Sequence, residues 1–290
     1  MSQLISAADL AAEIERAAED QVEGPVLVDV RWALSAGRAP SSGAVGKPDY
    51  DAGHLPGAFF VDLDTALAGP PGDGGRHPLP DAATVQATLR RCGVGEGSRV
   101  VVYDAKESYA AARAWWVFRW AGVDDVRVLD GGFAAWTVGG LPVSEKEPAD
   151  REGEVTVRPG RLPTVDAAGA ATLGREGLLL DARAPERYAG ETEPIDAVAG
   201  HVPGAVNSPT AAWLAADGTF RRDLAEHWAT VRGGVGDGVT VGVYCGSGVT
   251  AAHHVLALAE LGVDATLYPG SWSEWIRDPS RPVVTGHTPD

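Results

Sequence analysis

Short β-branched runs alternate with amphipathic stretches along the whole chain. PVLVDVRW (25–32), GSRVVVYD (97–104), GLLLDARA (177–184) and GVTVGVYC (238–245) carry near-continuous apolar runs, as expected of strands buried on both faces. Between them, apolar residues recur at helical spacing. The N-terminal MSQLISAADLAAEIERAAED has acids within its apolar periodicity and predicts a first amphipathic helix rather than a signal peptide. DAATVQATLRRCG (81–93) ends in basic residues followed by glycine, the usual helix stop. Strands alternating with helices predict an α/β fold in which each unit is a mostly parallel sheet flanked by helices.

The alternation occurs twice. PVLVDVRW pairs with GLLLDARA, and GHLPGAFFVDL (53–63) pairs with GHVPGAVNSPT (200–210). GSRVVVYDAKESYAAARAWWVFRWAGV (97–123) pairs with GVTVGVYCGSGVTAAHHVLALAELGV (238–263), and VRVLDGGFAAW (126–136) with ATLYPGSWSEW (265–275). The matches keep their order, and their spacing shrinks slowly, as short loop deletions would make it. The chain therefore holds two copies of one unit, divided as 1–148 and 149–290. Residues 142–165 between them are rich in charge and proline with little helical periodicity, which reads as a linker crossing the surface.

The chemistry concentrates at Cys245, where the strand VTVGVY ends, Gly246-Ser247-Gly248 follows and a helical pattern begins. Ligands in open α/β sheets sit beyond the carboxyl ends of strands. The loop through Val249 and Thr250 can turn several amides onto the sulfur, forming an anion nest at a helix N-terminus. Such surroundings are expected to depress a thiol pKa and yield a nucleophilic thiolate. Simple apolar packing is the competing reading of any buried cysteine, and it is preferred for Cys92 in LRRCGVGEG. A cysteine phosphatase loop would need arginine six residues on, where this chain has Ala251; the Gly-Lys-Ser/Thr of a nucleotide loop is also missing.

Composition narrows the setting. At 290 residues with 44% hydrophobic and 22% charged residues, the chain is globular in class, and no apolar run approaches the ~20 residues of a membrane span. Its net charge of −16 argues against nucleic acid or an anionic membrane as partner. Two cysteines outside any metal-ligand spacing argue against a disulfide framework or zinc site and for a reduced, cytoplasmic setting.

The loop CGSGVTA, together with HLPGAFF, RAWWVFR, VLDGG, GHVPGA and YPGSWSEW, resembles the two-domain rhodanese family of thiosulfate and 3-mercaptopyruvate sulfurtransferases over nearly the whole chain. The resemblance implies two tandem rhodanese-like domains, the first inactive, with Asp104 at the position of Cys245. It implies a Cys245 persulfide that takes sulfur from a small-molecule donor and passes it to a thiol acceptor such as thioredoxin, or to cyanide, with no metal or organic cofactor. CGSGVTA is the mercaptopyruvate-type loop; a thiosulfate:cyanide enzyme is the runner-up and a non-catalytic sulfur carrier a third reading. The same resemblance casts Ser247 in a proton relay with Asp64, or alternatively Asp62, and His77. It assigns the substrate carboxylate to Arg187 and Arg113, beside Gly246, Gly248, Val249 and Thr250, with Thr250 also capping the helix. A second arginine frequent after TEPEP is not found; TEPIDAV has Ile195 and Asp196 instead. His54 and His201, shared by both copies, read as structural. Trp272 and Trp275 read as pocket wall or core, and His253 and His254 as packing or surface residues.

Overall fold

The computed structural model describes residues 2–33, 45–236 and 238–290. The first copy runs β1 (Leu4–Ile5), α1 (Ala7–Glu19), β2 (Val26–Asp29), α2 (Lys47–Ala52), β3 (Phe59–Phe60), α3 (Leu63–Ala66), α4 (Ala82–Arg91), β4 (Arg99–Tyr103), α5 (Tyr109–Trp120), β5 (Asp125–Leu129) and α6 (Gly132–Val138). The second runs α7 (Ala167–Glu176), β6 (Leu178–Asp181), α8 (Pro185–Tyr188), β7 (Val206–Asn207), a 3-10 turn at Thr210–Trp213, α9 (Leu224–Arg232), β8 (Val241–Tyr244), α10 (Val249–Glu260), β9 (Ala265–Leu267) and α11 (Ser271–Trp275). The first helix is shorter than the amphipathic pattern predicts. Ser6 caps it by accepting from Asp9 N, and Leu4–Ile5 ahead of that cap pair with β5 as an edge strand.

All ladders are parallel. Strand order is β1-β5-β4-β2-β3 in one sheet and β7-β6-β8-β9 in the other. Read from its far edge, the second sheet repeats the order β5-β4-β2-β3. Its counterpart of β1 is reduced to a bridge at Thr164, beside which Val165 N donates to Leu267 O at 3.0 Å. Registers repeat too, pairing Asp29 with Tyr103 and Asp181 with Tyr244. The duplication thus reaches down to residue pairs. In each copy a buried arginine grips the carboxylate two residues before it, Arg31 on Asp29 and Arg183 on Asp181. His54 and His201 each stack on a tyrosine, Tyr50 and Tyr188, and place Nδ1 2.8 Å from that tyrosine's carbonyl.

Helices α5 and α10 hold the copies together. Both are buried on nearly every side, from Ala110 to Phe118 and from Ala251 to Leu258. Helices that are apolar all round belong in a core, and the alanines at 110–112, 114, 251 and 252 let the two backbones approach closely. One apolar cluster runs from Val28 and Val102 through α5 and α10 to Val243 and Leu267, so the two sheets share a core. Residues 142–165 cross the first copy without a helix or strand. They do more than pass over it: Gly153 N bonds Arg90 O, Val155 N bonds Val94 O, and Val155 is buried. Among the described residues no helix is long and apolar enough to cross a membrane.

Candidate active site

Cys245 follows β8 directly and is 2% exposed. Gly248 N donates to its Sγ at 3.1 Å. Ser271 Oγ accepts from Cys245 N at 3.1 Å, and Trp272 N donates to Cys245 O at 3.0 Å, so the sulfur's backbone is fixed from both sides. Gly248 has φ +80 and opens α10, a twelve-residue helix whose N-terminal dipole favours an anion beside it. A Cβ on Gly248 would lie 2.3 Å from Pro269 O. Gly248→Ala should therefore cost about 1–3 kcal/mol of stability and most of the activity, read by thermal unfolding and turnover. Gly246 is glycine for a different reason. Its φ is not left-handed, but a Cβ there would meet Arg76 Nη2 at 3.2 Å and Arg187 Nη1 at 3.6 Å. Thr250 does not cap α10, whose start has no side-chain cap; it lines the cavity instead.

The first copy shows the same turn around a different side chain. At the equivalent position Asp104 points its carboxylate into its own loop. Oδ1 accepts from Lys106 N and Ser108 N at 3.1 and 3.0 Å, and Oδ2 from Ala110 N and Ala111 N at 3.0 and 3.2 Å. Burial raises the Asp104 pKa, and these four amides oppose the rise. Four amides close on the carboxylate in the first copy; in the second the equivalent turn brings one, Gly248 N, to the sulfur, fewer than the several that the loop's composition predicts.

Ser247, His77 and Asp64 stand in a row. His77 Nδ1 lies 2.7 Å from Ser247 Oγ, and its Nε2 lies 3.4 Å from Asp64 Oδ1. Trp32 Nε1 donates to the same carboxylate oxygen at 3.1 Å. The His77 ring facing it holds Asp64 below the usual carboxylate range, against its partial burial and with help from Trp32. With Nε2–H directed at Asp64, Nδ1 accepts from the serine hydroxyl. Asp62, the alternative, accepts from Thr65 Oγ1 at 2.8 Å and stands at the N-cap of α3.

Arg113 requires a correction. It is fully buried and does not reach the cavity wall. Its guanidinium donates to Leu67 O, Gly248 O, His77 O and Pro78 O at 3.1–3.2 Å. A carboxylate anchor must keep an edge open; this one brackets the His77 segment to the turn behind Cys245. Burial pulls it down to about 10, so it remains charged at neutral pH. The cations that do face the cavity are Arg187, Arg183 and Arg76. Arg187 is gripped by Glu193 at 2.7 Å and Asp196 at 3.0 Å. Arg183 lies 4.6 Å over the Trp272 ring; burial opposes its charge, but Asp181 outweighs that and raises its pKa. Arg76, from the first copy, pairs with Asp196 at 2.6 Å.

These groups surround a cavity of about 290 Å³, whose far wall is Asp104, Glu107 and Tyr109 of the first copy, with Trp32 beside them. Arg76, Arg183, Trp32, Glu107 and Tyr109 are among the lining residues that the sequence reading does not single out. Arg76 adjoins His77 in GGRHPLP, a signal that could have found it. Arg183 was hidden because both copies carry the same Asp-x-Arg. Trp272 and Trp275 are core residues, as are His253 and His254. His253 packs flat on Phe220 at 4.4 Å.

The sequence profile of the rhodanese-like domain matches residues 6–138 and 167–278. A Mycobacterium tuberculosis protein named as a thiosulfate sulfurtransferase, SseB, is 47% identical over 98% of this chain and 97% of its own length. A Pseudomonas aeruginosa protein named as a 3-mercaptopyruvate sulfurtransferase is 44% identical over 98% of this chain and 99% of its own. The crystal structure of SseA from Escherichia coli, described as a 3-mercaptopyruvate sulfurtransferase with the rhodanese fold, superposes with a TM-score of 0.76 at 30% identity. It covers 94% of this chain and all of that one.

Proposed function

Because this chain belongs to the rhodanese family, we propose that it is a sulfurtransferase that takes sulfur from 3-mercaptopyruvate onto Cys245 as a persulfide. A thiophilic acceptor (a small thiol, a thioredoxin or cyanide) then removes it. A reducing cytoplasm suits a reaction that begins on a free thiol.

The observation that carries the choice of donor is the Ser247–His77–Asp64 row beside Cys245. Attack of the Cys245 thiolate on the mercaptopyruvate sulfur forms an S–S bond and breaks C–S, and pyruvate departs as its enolate. That carbanion needs a proton at carbon, and the proton released from the substrate thiol can reach it through Ser247 and His77. The sum is Cys–S⁻ plus mercaptopyruvate giving Cys–S–S⁻ plus pyruvate, with no electrons left over. The acceptor thiol then attacks the outer sulfur and restores the thiolate. Thiosulfate would release sulfite, which needs no proton for departure, so the row has no work to do with that donor.

The thiosulfate reading is supported by the name of the M. tuberculosis relative and by the cavity's arginines. Steady-state rates with each donor, with cyanide as acceptor, separate the two, and the mass of donor-treated protein tests for one added sulfur at Cys245. No turnover with either donor on fully reduced protein would leave a non-catalytic carrier. Arg187→Ala should raise the mercaptopyruvate KM by about tenfold or more with a smaller change in kcat, because a guanidinium edge facing the loop suits a carboxylate. An unchanged KM would place Arg187 outside the substrate's reach.

A further inference from the structure

Among the described residues three guanidiniums face the cavity, and each is matched by a carboxylate. Arg183 holds Asp181 at 2.6 Å, Arg187 holds Glu193 at 2.7 Å, and Asp196 is shared between Arg187 at 3.0 Å and Arg76 at 2.6 Å. Glu193 and Asp196 are each 4% exposed at the side chain, and Asp196 N donates to Glu193 Oε1 at 3.0 Å. Among the described residues, these three arginines and three carboxylates balance one another before any ligand arrives. Arg76 Nη2, which also reaches Asp196 Oδ2 at 3.5 Å, and Arg187 Nη1 converge on the open side of Gly246, next to Cys245. The opposite wall adds Asp104 and Glu107. Because the matched pairs leave no cationic surplus, each further negative charge on a ligand adds repulsion, and a dianion meets more of it than a monoanion.

We infer that Asp196 is a specificity-determining residue: by neutralising one arginine from each copy, it makes this pocket select monoanionic sulfur donors over dianionic ones. The inference rests on the sulfurtransferase reading above and deepens it. Asp196 is well placed for this because it contacts no reacting atom but sets the charge of the two groups that do face the loop. The same arginines without the Asp196 charge would leave the pocket one unit more positive than it is. It would reward the second charge of thiosulfate more than the single charge of mercaptopyruvate.

The test is Asp196→Asn, which keeps the side chain's shape and removes its charge. With cyanide as common acceptor, the ratio of kcat/KM for thiosulfate to that for mercaptopyruvate should rise about tenfold, and the gain should shrink as salt is added. Asp196→Glu, which keeps the charge, should leave the ratio within about twofold of the parent. A ratio unmoved in Asp196→Asn, or equal losses with both donors, would reduce Asp196 to a structural brace and overturn the inference. Should Asp196→Asn not fold, Glu193→Gln takes its place and must move the ratio in the same direction. A parallel arm needs no turnover: sulfate and pyruvate are titrated into reduced protein by the fluorescence of Trp32 and its neighbours. Affinity for sulfate should rise relative to pyruvate in Asp196→Asn. Absence of turnover in the parent would then refute the proposed reaction while this arm still decides the charge rule.

Discussion

Cys245→Ser should abolish sulfur transfer from either donor, by about 10⁴-fold or more, while Cys92→Ser leaves kcat nearly unchanged. The two thiols are both buried, so burial does not separate them; their surroundings do. Cys245 sits against Gly248 N, at the mouth of α10, on the wall of the cavity. A serine there cannot carry sulfane sulfur whatever its protonation. Cys92 caps the end of α4 inside the apolar core, and burial pushes its thiol up to about 11. It stays a thiol at neutral pH and has no route to a donor. Its replacement should show instead as a lower thermal midpoint, because a hydroxyl buried among apolar neighbours costs about 1–3 kcal/mol. Turnover, thermal unfolding and intact mass after donor treatment read the three quantities separately. Equal loss of turnover in both variants would remove Cys245 from its assigned role.

Ser247→Ala and His77→Gln should each lower kcat for mercaptopyruvate by about 10²–10³-fold, yet change thiosulfate turnover by less than about threefold. The asymmetry is the informative part. General acid–base help matters only where a proton must reach a poor leaving group, and the enolate is one while sulfite is not. The three side chains also have few competing duties. His77 Nδ1 meets Ser247 and its Nε2 faces Asp64, whereas the backbone of the His77 segment is held separately by Arg113. Removing the imidazole should therefore leave the loop in place. Comparable losses with both donors would show that the row positions the loop rather than moving a proton.

Much of the fold was legible because it is written in local periodicity. Central strands such as VVVY and VGVY are apolar at every position since both faces are covered, and β4 and β8 fall where those runs lie. The duplication was legible because the copies keep Asp-x-Arg and His-x-Pro-Gly-Ala at equivalent turns, and the structure puts those residues to the same use in each. Leu4–Ile5 was not, because two residues cannot display a period, and a neighbouring helix pattern absorbs them. The glycines divide in the same way. Gly248 has φ +80, whereas Gly246 is not left-handed and lies close to the Arg76 and Arg187 guanidiniums, a proximity that no local pattern could announce.

By itself the sequence determined that two like units exist, that one keeps a cysteine where the other has Asp104, and that the cysteine ends a buried strand before a helix. Each of these is a property of a few consecutive residues. Only the tertiary structure decided which side chains meet that cysteine. Packing α5 against α10 turns the two copies toward each other, so the first copy sends His77, Asp64 and Arg76 to a sulfur in the second. That same packing buries Arg113, which the family resemblance cast as an anchor, and commits it to four carbonyls. A side chain's own segment sets its backbone; the segment docked against it sets its solvent, its partners and its charge.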